Sequence, residues 1–240
     1  MGDPVRIAMW SGPRNLSTAM MYSFAQRADC AVTDEPFYAA YLAATGNDHP
    51  MRDEVLASQP LDPAQVAAEC LGPVPGDRPV WYQKHMTHHM LEDFPLDWIA
   101  KVRNVFLIRH PARVVASYAR KREALTLDDI GFETQCALYE RVIALGQVPV
   151  VVDSASILAD PEPALRVLCE AIDLAFDPVM LKWEAGPRPE DGVWARHWYG
   201  AVHRSTGFDI GEAPLPELEG GYAVLAERAL PFYERMRAAI

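Results

Sequence analysis

No apolar run in this 240-residue chain approaches the roughly 20 residues needed to cross a bilayer; the strongest, Val148-Pro149-Val150-Val151-Val152, has the length of a strand. Neither a membrane span nor a membrane partner is expected. Cysteine is scarce and scattered: Cys30, Cys70, Cys136 and Cys169 form no C-x-x-C, which argues against a zinc knuckle and a disulfide framework. The N-terminal residues lack the basic stretch, apolar core and small-residue cleavage site of a signal peptide, so a reducing cytoplasm is the expected compartment. Positive charge is also short, with 22 Lys+Arg against 33 Asp+Glu and a net charge of −11, so a nucleic-acid partner is not expected. No internal repeat is visible.

What remains is the composition of a folded domain, 50% hydrophobic and 23% charged. Its length suits one core with irregular excursions, so residues 1–240 read as a single domain. Short β-branched runs alternate with helical periodicity, the pattern of an α/β fold with helices on both faces of a parallel sheet. Strands are predicted at 5–10, 30–34, 80–84, 104–108 and 148–153, and helices at 17–27, 111–122, 128–146, 161–172 and 222–239. Two irregular regions interrupt the pattern. Residues 46–79 hold six prolines and one short predicted helix at 64–70, and residues 186–216 mix glycine and proline with aromatics and histidines, as a lid or substrate loop does.

The first predicted strand runs into Ser11-Gly12-Pro13-Arg14-Asn15-Leu16-Ser17-Thr18 and then into a helix. Unpaired N–H groups and the positive end of the helix favour an anion there, and Arg14, Ser17 and Thr18 add donors. The alternative is an ordinary helix start capped by Asn15 or Ser17. The ATP-type motif G-x-x-x-x-G-K-[ST] is absent, because Ser17 and Thr18 fall where its second glycine and lysine belong.

The fourth strand ends in Arg109-His110-Pro111, and Ser117 follows in the second turn of the next helix, so an arginine and a hydroxyl converge at the carboxyl edge of the sheet. Seven basic residues lie between positions 101 and 122 with no acid among them, a local cationic patch unless Arg120, Lys121 and Arg122 form only a solvated face. The second strand ends in Asp34-Glu35-Pro36, placing Glu35 at the same edge beside the loop. A carboxylate next to an anion site suits a general base, although a carboxylate at a helix start is the plainer reading.

Together these segments resemble the sulfotransferases that use 3′-phosphoadenosine 5′-phosphosulfate. Residues 13–18 resemble the family's 5′-phosphosulfate loop, commonly P-K/R-S-G-T-T, and Arg109 through Ser117 its 3′-phosphate signature. Asp34-Glu35-Pro36 resembles the E-P element whose glutamate is the base in carbohydrate and protein-tyrosine members. Arg188 and Trp194 are similar to parts of a third nucleotide element, R-x-G-x-x-G-x-W. Leu16 departs from the loop's usual glycine. The cytosolic members' K-x-H is replaced by Lys84-His85-Met86-Thr87-His88-His89, a histidine shifted by one position.

The resemblance implies a three-layer α/β/α fold with a P-loop-like parallel sheet and sulfuryl transfer to a hydroxyl or amine of a small-molecule or carbohydrate acceptor. Ser11, Gly12, Pro13, Arg14, Asn15, Leu16, Ser17 and Thr18 would hold the 5′-phosphate, and Arg109 and Ser117 the 3′-phosphate, with Arg188 and Trp194 covering the nucleotide. Arg14 and Lys84 would supply positive charge to the transferring group, and Glu35, His85 or His88 would take the acceptor's proton. The scheme requires no metal; His85 and His89, four apart, share a metal-pair spacing but lack a third ligand. A P-loop kinase and a catalytically silent nucleotide-binding protein are the alternatives. The acceptor and the oligomeric state are not legible.

Overall fold

The computed structural model describes residues 3–120 and 125–240. Lys121 and Arg122, the end of the cationic run and of the predicted helix at 111–122, lie outside the described residues. Five strands form one parallel sheet: β1 (Val5–Ser11), β2 (Cys30–Asp34), β3 (Val80–Met86), β4 (Arg103–Ile108) and β5 (Val150–Asp153), in the order β2-β3-β1-β4-β5. All five predicted strands are present, and their near-continuous apolar character follows from burial on both faces.

Eleven α-helices are seen among the described residues: α1 (Ser17–Ala25), α2 (Tyr38–Thr45), α3 (Arg52–Ser58), α4 (Pro63–Cys70), α5 (Pro111–Tyr118), α6 (Leu127–Ile130), α7 (Phe132–Ala144), α8 (Ser154–Ala159), α9 (Pro161–Ala171), α10 (Ala195–Trp198) and α11 (Gly220–Arg237). They cover both faces. Ile7, Met9, Tyr82 and Leu107 point into one apolar cluster with α1 and α9, whereas Ala8, Trp10, Phe106 and Ile108 point into another with α5, α7 and α11. Alternation along each strand builds these two layers. None of the described helices is long and apolar enough to cross a membrane.

Three expectations are corrected. The helix predicted at 128–146 is two helices, split where Gly131 turns left-handed at φ 68° and ends α6. Region 46–79 carries α3 as well as α4. Much of region 186–216 is packed rather than loose: Trp194, Ala195, Tyr199 and Phe208 are buried in the first cluster.

Candidate functional site

A cavity of about 520 Å³ opens at the carboxyl ends of the strands, where ligands bind in open α/β sheets. Its floor is the loop after β1. Gly12 passes so close to the backbone that an added Cβ would lie 2.6 Å from the Ile130 carbonyl oxygen. Arg14 and Leu16 both adopt left-handed backbone, at φ 63° and 71°, immediately before α1. Leu16 thus holds the conformation that a glycine would adopt freely, at a cost of about 1–2 kcal/mol for an L-residue. The first turn of α1 then presents its unpaired N–H groups to the cavity, with Ser17 and Thr18 in the wall.

Asn15 anchors this loop from beneath, its Nδ2 donating to the Leu107 carbonyl oxygen at 3.2 Å. Arg14 Nε donates to Ser117 Oγ at 3.0 Å, and Arg109 Nη1 to the Arg14 carbonyl oxygen at 3.0 Å, so loop, β4 and α5 are joined through guanidinium groups. Burial first, then Arg109, lowers the pKa of Arg14. Arg109 and Arg113 both pair with Glu212, whose segment lies over the cavity mouth.

The other wall is polar and almost fully buried. β3 lies between β1 and β2, so Glu35 is not beside the loop in the sheet, as expected, but one strand further away with Lys84 between them. Lys84 Nζ donates to Asp34 Oδ1 at 2.9 Å, Glu35 Oε1 at 2.5 Å and the Tyr199 hydroxyl at 2.6 Å. Its side chain is 1% exposed. Burial pulls the ammonium pKa down, but Asp34 and Glu35 outweigh it and hold it above the usual lysine value. Tyr199 donates to Asp34 and accepts from Trp194 Nε1 at 3.0 Å, and the Gly192 N–H donates to Asp34 Oδ2 at 3.1 Å. Glu35 itself sits in left-handed backbone at φ 41° and lines the cavity. Its pKa is raised because burial penalises the charged form, against the opposing pull of Lys84.

Pleating decides the fate of the histidines. Lys84 and Met86 face the cavity and His85, between them, points through the sheet. There His85 stacks on Trp10 at 4.6 Å between centroids, and burial lowers its pKa to about 3. His85 therefore does not reach the cavity, and the family's K-x-H position is occupied by Met86. His88 and His89 do line it; His89 Nδ1 lies 4.0 Å from Glu35 Oε2, with its ring stacked on Tyr38 and Tyr41.

The cavity therefore gathers Pro13, Arg14, Asn15, Leu16, Ser17, Thr18, Glu35, Lys84, Arg109 and Ser117. Ser11 and Gly12 support the loop from behind, Ser11 Oγ facing Met86 Sδ at 3.9 Å. Arg188 and Trp194 do not line the cavity. Arg188 lies over the Tyr22 ring, and Trp194 is buried beneath Tyr199. Sequence reasoning assigned no individual role to Arg113, Tyr199 or Glu212 in the wall, although Arg113 lies in the cationic run and Tyr199 in the region read as a lid or substrate loop. The i, i+4 spacing of Arg109 and Arg113 was a further signal.

Residues 5–240 match the family model described as Sulfotransferase domain. Two curated relatives from Arabidopsis thaliana, branched-chain-amino-acid aminotransferase-like proteins 1 and 2, are 38% and 37% identical over 100% and 96% of this chain. The chain spans about two-fifths of those relatives' length, covering 43% and 41%. Among solved structures, the sulfotransferase domain from the curacin biosynthetic pathway aligns over 94% of this chain and 97% of its own, at 15% identity and TM-score 0.56. A sulfotransferase from Alicyclobacillus acidocaldarius aligns over 99% and 96%, at 12% identity and TM-score 0.54. These two likenesses concern the fold.

Proposed function

Because this chain belongs to the sulfotransferase family, we propose that it moves a sulfuryl group from 3′-phosphoadenosine 5′-phosphosulfate to a hydroxyl or amine of a small-molecule or carbohydrate acceptor. The observation that carries the reading is one cavity with two chemistries: an anion-binding helix start on one side and a buried lysine–glutamate pair on the other. The residues fit such a donor. The close-packed glycine, the left-handed loop and the first N–H groups of α1 make a cradle for a 5′-phosphate, and Arg109 with Ser117 offers donors for a 3′-phosphate. When bound, the donor supplies an activated sulfuryl group.

The chain's own residues do the rest. Arg14 and Lys84 bring positive charge to the cavity, where burial makes charge stabilisation stronger than in water. Glu35, whose pKa burial raises against the opposing pull of Lys84, is a stronger base than an exposed carboxylate and lines the cavity where the acceptor's proton would be taken. Lys84 fixes one of its oxygens and the strained backbone fixes its direction, so proton transfer starts from a set geometry. Met86 in place of a histidine leaves Glu35 as the principal base, with His88 and His89 nearby. Four buried thiols suit a reducing compartment, the cytoplasm in this reading.

More than half the length of the plant relatives lies outside the match, so their names bear on a larger molecule. The test is direct: sulfur-labelled donor is incubated with a panel of phenols, alcohols, sugars and amines, and release of adenosine 3′,5′-bisphosphate is followed with wild type and Glu35→Gln. Acceptor-dependent release that Glu35→Gln abolishes supports the reading. Release independent of any acceptor, or equal in both proteins, contradicts it.

A further inference from the structure

Glu212 lies in the segment between the buried Phe208 and α11, and its side chain is only 10% exposed. Its Oε1 accepts from Arg109, through Nε at 3.1 Å and through Nη2, and its Oε2 lies 3.0 Å from Arg113 Nε. Arg113 Nη2 also donates to the Ala213 carbonyl oxygen at 2.6 Å. One carboxylate is thus held between two guanidinium groups that stand four residues apart where β4 passes into α5. Such a pair is a fork that also suits a phosphate. Ser117 follows Arg113 by one turn, completing a polar wall in the same cavity.

The strap that carries Glu212 is pinned on one side, where Lys182 bridges Gly207 and the Gly211 N–H donates to the Leu158 carbonyl oxygen at 2.6 Å. Around Glu212 it has little apolar hold: Ile210 is 76% exposed and Leu215 51%. The ion pairs and the Ala213 contact are therefore the main local attachments of Glu212 to the sheet edge. Segments of this kind open at low free-energy cost.

We propose that Arg113 and Arg109 form a two-arginine clamp for the donor's 3′-phosphate, and that Glu212 is the clamp's built-in occupant, an internal competitor that the 3′-phosphate must displace. This rests on the reading that the cavity takes a 3′-phosphorylated adenosine nucleotide. A dianionic phosphate can replace the singly charged carboxylate, whereas a nucleotide without a 3′-phosphate has nothing to exchange for it. Every 3′-phosphorylated ligand then works against the fraction of protein in which Glu212 fills the clamp, and its apparent affinity falls by that fraction.

The experiment is calorimetric titration of adenosine 3′,5′-bisphosphate and adenosine 5′-monophosphate into wild type, Glu212→Gln and the double variant Glu212→Gln/Arg113→Ala. Thermal melts of each establish that all are folded. The amide keeps the shape of Glu212 and removes its charge, so the bisphosphate is expected to bind Glu212→Gln about tenfold more tightly, with the monophosphate changed less than about twofold. Adding Arg113→Ala is expected to remove about tenfold of bisphosphate affinity and leave the monophosphate unaffected. If wild type binds the bisphosphate selectively but Glu212→Gln binds it equally or more weakly, the clamp proposal falls and the donor reading stands. If no variant prefers the bisphosphate, the donor reading falls and takes the clamp with it.

Discussion

Lys84 holds together two buried carboxylates, and its value lies in what its loss would expose. Lys84→Met would leave Asp34 and Glu35 buried together with only the neutral donors Tyr199 and Gly192 for partners, so it is expected to destabilise the fold by about 3–5 kcal/mol in chemical denaturation. Glu35→Gln removes a charge from the same cluster and leaves Lys84 paired with Asp34, so the protein should remain folded while turnover falls by roughly 10²–10⁴-fold. A pH profile gives an independent check. Burial raises the pKa of Glu35, so its base form is lost on acidification at a higher pH than an ordinary carboxylate near ~4.3 would show. Turnover should therefore fall as pH falls, with an acid limb above the usual carboxylate range that disappears in Glu35→Gln. At this scale the site was partly legible. Arg14, Glu35 and Lys84 stood out because each ends or follows a strand at the ligand edge. Tyr199, 115 residues beyond Lys84, carried no local sign that its hydroxyl would meet that lysine. His85 looked equal to Lys84 until the pleat of β3 turned it to the other face.

The loop between β1 and α1 is the element whose backbone matters most. Gly12→Ala would drive a Cβ against the Ile130 carbonyl, a backbone atom that cannot swing aside. Nucleotide affinity should drop by more than about tenfold, with a stability loss of about 1–3 kcal/mol. Leu16→Gly makes the opposite case. The backbone is already left-handed there, so glycine relieves strain at the expense of some packing; nucleotide affinity is expected within about twofold of wild type and stability within about 1 kcal/mol. A tenfold change in affinity would mean that the leucine side chain itself shapes the cradle. Strands were readable in the sequence because buried parallel strands are continuously apolar. Helix α2, which was not predicted, begins Tyr38-Ala39-Ala40-Tyr41-Leu42 with every one of these residues buried, so it has no polar face to give a 3.6-residue period. Gly131 interrupts an otherwise helical pattern by its left-handed turn, a break that periodicity does not register.

Across the whole molecule, a net charge of −11 surrounds a cavity whose loop side carries Arg14, Arg109 and Arg113. The order β2-β3-β1-β4-β5 makes this possible, since it puts the loop after central β1 between the lysine of β3 and the arginine of β4. The field inside the cavity is local and the field outside repels anions, so association of a nucleotide should quicken when added salt screens the outer charge, then weaken as salt reaches the clamp. Stopped-flow binding across an ionic-strength series reads both limbs. The central claim is that this cavity takes a 3′-phosphorylated adenosine nucleotide. Its most direct test is calorimetric titration of adenosine 3′,5′-bisphosphate beside ADP and ATP, each with excess Mg²⁺ and again with chelator. The account predicts micromolar binding of the bisphosphate, unchanged by chelator and tighter than either competitor. Tighter, Mg²⁺-dependent binding of ATP would contradict it.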